Sequence, residues 1–168
     1  FERSKQELSG HAETIERYCG FLTHIDFVPH NFRVVKNTIY LLDNSSLRFG
    51  NKHEGWARFI NFMTLYNPPL EHALIEYVRL NRAKEELESL RLMRVYRLGE
   101  IMCYYARLLS QTTGELHQLY RARVFFWSDA LQAVLENHSL SPEILESYKK
   151  TRDSLRSPEE KERQIGLH

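Results

Sequence analysis

Three oxygen-bearing side chains, Asp26, Asn31 and Asp43, lie within the stretch HIDFVPHNFRVVKNTIYLLD. Asn31 follows Asp26 by five residues and Asp43 follows it by 17. Carboxylate and amide oxygens are the ligands that magnesium prefers in proteins. Phosphoryl transfer needs divalent metal ions that bridge the phosphates and a carboxylate that orients the attacking hydroxyl. These residue types at this spacing therefore suit one half of a phosphoryl-transfer site.

A loop and a hairpin must bring these side chains together. Pro29 disfavours helix at Val28, which predicts a turn between His24 and Asn31. Two apolar runs follow, Phe32–Val35 and Ile39–Leu42, and the short link between them suits a tight hairpin turn. A hairpin returns the chain beside the loop that it left, so Asp43 is expected near Asp26.

The residues after Asp43 are expected to be irregular at first and then helical. Serines, asparagines and glycines between residues 44 and 55 predict that no strand follows Asp43. Residues 1–10 read as a frayed helix or linker, and a loose tail is expected from Lys161. Whether Leu70–Ser110 is one bent helix or several cannot be decided from periodicity. Apolar periodicity and proline-containing starts predict helices over His11–Leu22, Trp56–Leu65, Leu70–Arg82, Ala83–Ser110, Glu115–Asn137 and Pro142–Leu155.

The segment HIDFVPHN resembles the catalytic loop of the protein-kinase-like superfamily, which reads His-x-Asp with an asparagine five residues after the aspartate. The resemblance is closest to the aminoglycoside phosphotransferase and choline-kinase-like branch, where His-Gly-Asp-x-x-Pro-x-Asn is usual. The segment IYLLD resembles the strand that ends in the metal-binding aspartate of that branch.

The resemblance implies a role for each matching residue. Asp26 would be the catalytic base, and His24 would brace the loop through hydrogen bonds. Asn31 and Asp43 would bind the metal and, through it, the nucleotide cofactor. The implied reaction is Mg²⁺-dependent transfer of a phosphoryl group from ATP to a hydroxyl. A small-molecule or sugar acceptor is expected, because no activation-segment signature of protein kinases is visible.

The departures from the family pattern matter as much as the matches. Ile25 replaces the usual glycine, and Asn44-Ser45 replaces the Phe-Gly of protein kinases. No glycine-rich loop and no strand lysine precede the motif, and only 23 residues come before His24. That is too short for a nucleotide-clamping N-terminal lobe, which is therefore expected elsewhere in the same protein. Without that lobe, this fragment should be inactive.

The expected architecture is mainly α-helical, equivalent to the C-terminal lobe of a kinase-like fold with one small β-hairpin at about residues 32–42. Residues 1–160 would form this single lobe, and 161–168 a loose tail. Within the lobe, the catalytic loop would be 24–31, the metal-binding strand 39–43 and the helical region 56–156.

Composition places the chain among ordinary globular proteins. It has 168 residues, of which 42% are hydrophobic and 27% charged, and its net charge is +1. This balance predicts no general attraction to nucleic acid or to anionic membranes. Cys19 and Cys103 are isolated and fit neither a disulfide framework nor a metal motif. No apolar run reaches the length of a membrane span, so a cytoplasmic protein is expected.

Other interpretations of the sequence remain open. The chain could be a non-catalytic kinase-like protein or a helical protein-interaction module. A zinc or iron site made by His24, Asp26, His30 and His53 is disfavoured, because the histidines lack helical i, i+4 pairing. The arginines between residues 79 and 107 could bind nucleic acid, but interleaved glutamates favour ion pairs. The cluster Phe125-Phe126-Trp127 is interpreted as core, or as a surface covered by the missing lobe.

Overall fold

The computed structural model describes residues 1–159 and 162, and within them the fold is mainly α-helical with small two-stranded sheets. The predicted fold class, mainly α with a small hairpin, is confirmed. The helices are α1 Glu2–Gly10, α2 Ala12–Arg17, α3 Glu54–Tyr66, α4 Pro68–Asn81, α5 Lys84–Leu109, α6 Gly114–Leu135 and α7 Pro142–Leu155. The strands are β1 Phe21–His24, β2 Phe32–Val35, β3 Thr38–Leu41 and β4 Leu47–Gly50.

The chain divides into two compact units, Phe1–Arg97 and the residues from Leu98 onward. The first unit contains α1 to α4, all four strands and the first half of α5. The second contains the rest of α5 with α6 and α7. All the predicted site residues belong to the first unit, and the single lobe over 1–160 stays a prediction.

The predicted hairpin is present as β2 and β3. These strands pair antiparallel with Phe32 opposite Leu41 and Val35 opposite Thr38. The tight turn between them places Lys36 at φ 54°, a left-handed conformation that costs energy for a residue with a Cβ atom. Strand β3 ends at Leu41, two residues short of the end predicted for the metal-binding strand 39–43, so Asp43 lies just beyond the hairpin.

The prediction that no strand follows Asp43 is wrong. Leu47–Gly50 forms β4, which pairs antiparallel with β1, so that Phe21 lies opposite Gly50 and His24 opposite Leu47. The polar residues at 44–46 form only a 3₁₀ turn, after which the chain extends again. This second ribbon encloses the hairpin in sequence and flanks the loop that carries Asp26.

The helix predicted over His11–Leu22 is also wrong in its second half. Helix α2 ends at Arg17, and Gly20 adopts φ 86°, which a helix does not permit. Phe21 and Leu22 then belong to β1. A four-residue strand has too short an apolar pattern to be distinguished from the end of an amphipathic helix. Residues 2–10, expected as a frayed helix or linker, are helical.

Helices α3, α4 and α5 supply the core of the first unit. The buried cluster contains Ala57, Ile60, Val78, Leu90, Leu92 and Met93. Asn67 caps α4 as predicted, since its side chain accepts a hydrogen bond from the backbone N–H of Leu70. Leu70–Ser110 proves to be two helices, because Arg82 takes an extended conformation between α4 and α5.

The second unit is built on the contact between α6 and α7. The Phe126 ring stacks on Tyr148 with centroids 4.2 Å apart, and both side chains are buried. Trp127 is buried as well, whereas Phe125 is exposed. The core interpretation of this cluster is therefore confirmed for Phe126 and Trp127. The tail predicted over 161–168 lies outside the described residues except for Glu162.

Candidate functional site

The loop between β1 and β2 is closed by the side chain of Asn31. Its Nδ2 donates hydrogen bonds to the backbone carbonyl of Asp26 at 2.8 Å and to Asp26 Oδ2 at 3.1 Å. Val28, before the proline, is extended and fully buried, and Pro29 starts a 3₁₀ turn that ends at Asn31. The five-residue spacing read from the sequence thus corresponds to a direct contact between the two side chains.

The orientation of the Asn31 amide follows from its partners. The backbone carbonyl of Asp26 can only accept, so the atom facing it must be the NH₂ group. The Asn31 Oδ1 atom makes no hydrogen bond with any residue that the structure describes. This oxygen therefore keeps its full acceptor capacity.

His24 joins the loop to the end of the hairpin. Its Nε2 lies 3.0 Å from the carbonyl oxygen of Leu42 and 3.1 Å from that of Asp43. Because both partners are carbonyls, Nε2 must carry the proton and donate. The backbone N–H of Leu42 in turn donates to the carbonyl of Asn31 at 2.8 Å. The predicted bracing contacts of His24 are therefore present.

Asp43 lies two residues after the end of β3 and has a left-handed conformation, with φ 56° and ψ 61°. Aspartate tolerates this region better than most residues. Its carboxylate is exposed and accepts hydrogen bonds from the hydroxyls of Ser45 and Ser46. These two bonds lower the pKa of the Asp43 carboxyl, which is therefore ionised at neutral pH.

Asp26 has a cationic partner that the sequence did not reveal. Arg58 on α3 donates from Nε to Asp26 Oδ1 at 3.2 Å, and its Nη2 lies 3.1 Å from the same oxygen. His30 Nε2 lies 3.8 Å from Asp26 Oδ2. Arg58 lies 32 residues after Asp26, so only the docking of α3 on the loop could have identified it.

The start of α3 supports the loop from the other side. Glu54 is buried and forms ion pairs with Arg48 on β4 and with Arg97 on α5. Arg97 also donates to the carbonyl of Ile25 at 2.9 Å. A Cβ atom added at Gly55 would lie 2.9 Å from the carbonyl oxygen of His24. Only glycine permits this close approach of helix and loop.

Aromatic rings fill the space beneath the loop. Phe27 lies edge-on to Phe32, with ring centroids 4.6 Å apart, and Phe59 of α3 lies within 6.2 Å of both. Contacts of this kind fix the loop backbone by burial and by edge-to-face geometry. The loop and the start of β2 are therefore packed onto α3.

Two other metal hypotheses can be compared with the structure. His24, Asp26, His30 and His53 do not bring their ligand atoms together as a zinc site requires, among the residues that the structure describes. A group absent from the sequence interpretation, Glu7, His11 and Glu88, has ligand atoms within 4.8 Å of one another. Arg91 forms ion pairs with both of its carboxylates, so a guanidinium already offsets one of their two negative charges.

The arginines of α4 and α5 pair with glutamates. Arg79 pairs with Glu76 on the surface. Arg94 is buried, pairs with Glu71 and donates to Asn61 Oδ1 at 2.9 Å. The ion pairs expected from the sequence are present, but the one at Arg94 lies inside the helical layer rather than on a solvated face.

Comparison with known proteins returned no match among protein-family models, curated protein sequences or solved structures. In the described part of the chain, none of the helices combines the length and the apolar character that a membrane crossing requires.

Proposed function

We propose that this chain is the metal-holding half of an ATP- and Mg²⁺-dependent phosphotransferase of the kinase-like type. The observation that carries the proposal is the network in which His24 holds the carbonyls of Leu42 and Asp43 while Asn31 holds Asp26. The network joins the loop and the hairpin end, the two segments that the family resemblance singles out.

The donor set is suited to magnesium. Asn31 Oδ1 is an amide oxygen without a described hydrogen-bond donor, and Asp43 is an exposed, ionised carboxylate. Each Asp43 oxygen accepts one serine hydroxyl and retains a second lone pair. Asn31 and Asp43 would hold the ion. The chemistry that a bound magnesium ion would supply here is positive charge to offset the negative charge that develops on the phosphate.

Asp26 would orient the acceptor hydroxyl and receive its proton. The Asn31 amide and the Arg58 guanidinium hold its carboxylate by contacts to both oxygens. Such contacts fix the carboxylate direction, and positioning is the main demand that phosphoryl transfer makes of a protein. His24 would act as a positioning residue, because its hydrogen bonds go to the backbone of the hairpin end.

We infer that the nucleotide is clamped by a further lobe of the same protein. The exposed apolar side chains of the two ribbons support this inference, since Leu22, Val34, Ile39 and Phe49 are all more than 60% exposed. Clustered exposure of this kind is typical of surfaces that a partner covers. The acceptor would be a small molecule or a sugar, in keeping with the branch that the loop resembles.

A non-catalytic kinase-like or helical interaction module is the alternative. The observation that favours it is the ion pair between Arg58 and Asp26, because this contact occupies an oxygen of the carboxylate that an acceptor hydroxyl would have to approach. The same exposed ribbons would then serve as an interaction surface. This alternative predicts no magnesium-dependent nucleotide affinity in the intact protein.

Replacing Asp26, the proposed catalytic base, tests the proposal in the intact protein. Asp26→Asn should abolish phosphoryl transfer from ATP while lowering stability by no more than about 1–2 kcal/mol, because the amide keeps the shape and one acceptor oxygen but loses its contact with either Asn31 or Arg58. Glu146→Gln, on the exposed face of α7, is the matched control and should retain full turnover. Full turnover of the Asp26→Asn protein would exclude the assigned role.

A further inference from the structure

A cavity of about 210 Å³ lies in the first unit, and none of its lining residues belongs to the proposed phosphoryl-transfer site. Its volume is below the range of roughly 300–1,000 Å³ typical of drug-sized ligands, so an occupant would be small. The lining residues are Lys52, His53, Trp56, Val78, Arg82 and Glu86.

One of the lining residues, His53, is buried, and its tautomer follows from its hydrogen-bonding neighbours. The backbone N–H of His53 donates to Asn51 Oδ1 at 2.9 Å, so Asn51 Nδ2 must be the group that faces Ser89 Oγ at 3.3 Å. The Ser89 hydroxyl accepts from Asn51 Nδ2. Ser89 is fully buried, and among the described residues His53 Nδ1, 2.9 Å away, is the one acceptor within reach of its hydroxyl proton. His53 Nδ1 is therefore the unprotonated nitrogen, and Nε2 carries the proton.

The Nε2–H group of His53 has no hydrogen-bond partner among the residues that the structure describes. The side chain itself is only 6% exposed, and desolvation lowers its pKa to about 4. A neutral imidazole in this tautomer offers one hydrogen-bond donor from a side chain that lines the cavity, and a bound acceptor would satisfy it.

The charges around the cavity favour an anion. Lys52 is held by an ion pair with Glu86, which leaves these two groups neutral together. Arg82 makes no hydrogen bond or ion pair through its guanidinium within the described part of the chain, and it lies close enough to His53 to lower its pKa. The cavity also borders the first turn of α3, where the helix dipole is positive.

From this juxtaposition we propose that the cavity binds a small oxyanion, a phosphate or carboxylate group, between the Nε2–H of His53 and the guanidinium of Arg82. The side chains of Trp56 and Val78 would contact whatever apolar part the ligand carries. The proposal does not depend on the phosphotransferase assignment, because it uses none of the residues of that site.

Titration with inorganic phosphate tests the proposal in the 168-residue chain. The indole N–H of Trp56 and the imidazole of His53 are followed by nitrogen-resolved NMR, with sodium chloride at matched ionic strength as reference. Trp127, the other tryptophan, belongs to the second unit and is an internal control. Saturable shifts at Trp56 and His53 are expected, with a dissociation constant below about 10 mM, as is typical of weak binding by a very small ligand.

A pair of charge-removing variants separates binding from general electrostatics. Arg82→Gln should weaken phosphate binding about tenfold or more, because it removes a charge-assisted hydrogen bond. Arg79→Gln, three residues before Arg82 but paired with Glu76, should leave the affinity unchanged. Shifts that do not saturate, that chloride reproduces, or that persist unchanged in Arg82→Gln would each overturn the proposal. Acetate in place of phosphate would show whether a carboxylate suffices.

Discussion

His24 and His53 are both buried histidines, 4% and 6% exposed, yet their neighbours give them different roles. His24 donates from Nε2 to two backbone carbonyls and therefore joins the loop to the hairpin end. His53 accepts at Nδ1 from Ser89 and lines a cavity. Residue type alone could not have distinguished a bracing histidine from one that lines a binding site.

Removal of the bracing histidine should destabilise the first unit. His24→Ala deletes a partly buried N–H donor shared by two carbonyls. It leaves the carbonyl of Leu42 without a described donor, whereas that of Asp43 keeps the N–H of Ser46, and the free energy of unfolding should fall by about 1–3 kcal/mol. Urea denaturation measures this change. His72→Ala on the exposed surface of α4 is the control and should change stability by no more than about 0.5 kcal/mol. Equal effects in the two variants would contradict the bracing role.

The buried neutral state of His53 predicts a pH dependence of stability. Its pKa is about 4 in the folded chain, against 6.5 for an exposed histidine, because of burial and the nearby charge of Lys52. The unfolded chain binds more protons between these values, so stability falls as pH is lowered from about 6.5 to 4. Between pH 7 and pH 5 the loss attributable to His53 should be about 1–2 kcal/mol.

Replacing the titrating group isolates this contribution. In His53→Gln, the urea midpoint should depend less steeply on pH between 7 and 5 than it does in the unaltered chain, whatever the variant's overall stability. The same slope in both proteins would mean that other groups are responsible.

At the scale of elements, the position of α3 is set by its close approach to the loop. A methyl group at Gly55 would lie 2.9 Å from the carbonyl oxygen of His24 and 3.2 Å from Thr23 Oγ1. Gly55→Ala should therefore cost about 1–3 kcal/mol of stability, since neither backbone can move without disturbing the loop.

Gly99 provides the matched control for this substitution. It lies in α5 with no atom within 4 Å of an added Cβ. Gly99→Ala should be neutral or stabilising by up to about 1 kcal/mol, because alanine is the better helix former. Thermal denaturation of the two variants checks both expectations. A Gly55→Ala protein as stable as the unaltered chain would show that the helix does not lie so close to the loop.

The loop and hairpin were predictable from sequence, because their signals are local. Pro29, the apolar runs and the spacing of Asp26 and Asn31 all act within 20 residues. The ribbon of β1 and β4 was not predictable in the same way. Its strands have four residues each, and the partners Phe21 and Gly50 are 29 residues apart. The pairing of strands that are distant in sequence depends on tertiary contacts, and local hydrophobic periodicity does not predict it.

The partners of the site residues were missed for the same reason. In the sequence, Arg58 cannot be distinguished from other polar residues of an amphipathic helix. Its contact with Asp26 depends on how α3 packs on the loop. The bonds from Asn51 and His53 to Ser89 span more than 35 residues and involve common residue types. A carboxylate in a motif nevertheless predicts that a cation will lie nearby, and this signal could have directed attention to the arginines after Asp43.

At the scale of the whole molecule, charge is balanced locally as well as in total. The net charge is +1, and many of the arginines on α4 and α5 pair with glutamates within the first unit. The charges of these arginines are therefore offset by neighbouring carboxylates. The exposed apolar ribbons beside the loop are the more distinctive surface feature, and they fit the proposal that another lobe supplies the nucleotide clamp.

Metal binding by the isolated chain tests the central proposal most directly. Mn²⁺ can replace Mg²⁺ at oxygen ligands, and its unpaired electrons broaden the NMR signals of nearby nuclei. During a Mn²⁺ titration, the backbone amides of Asn31 and of residues 43–46 should broaden before any others. Excess Mg²⁺ should reverse the effect, and Asp43→Ala should prevent it. Broadening that begins at Glu7, His11 and Glu88, or that shows no preferred site, would contradict the assignment of Asn31 and Asp43 as metal ligands.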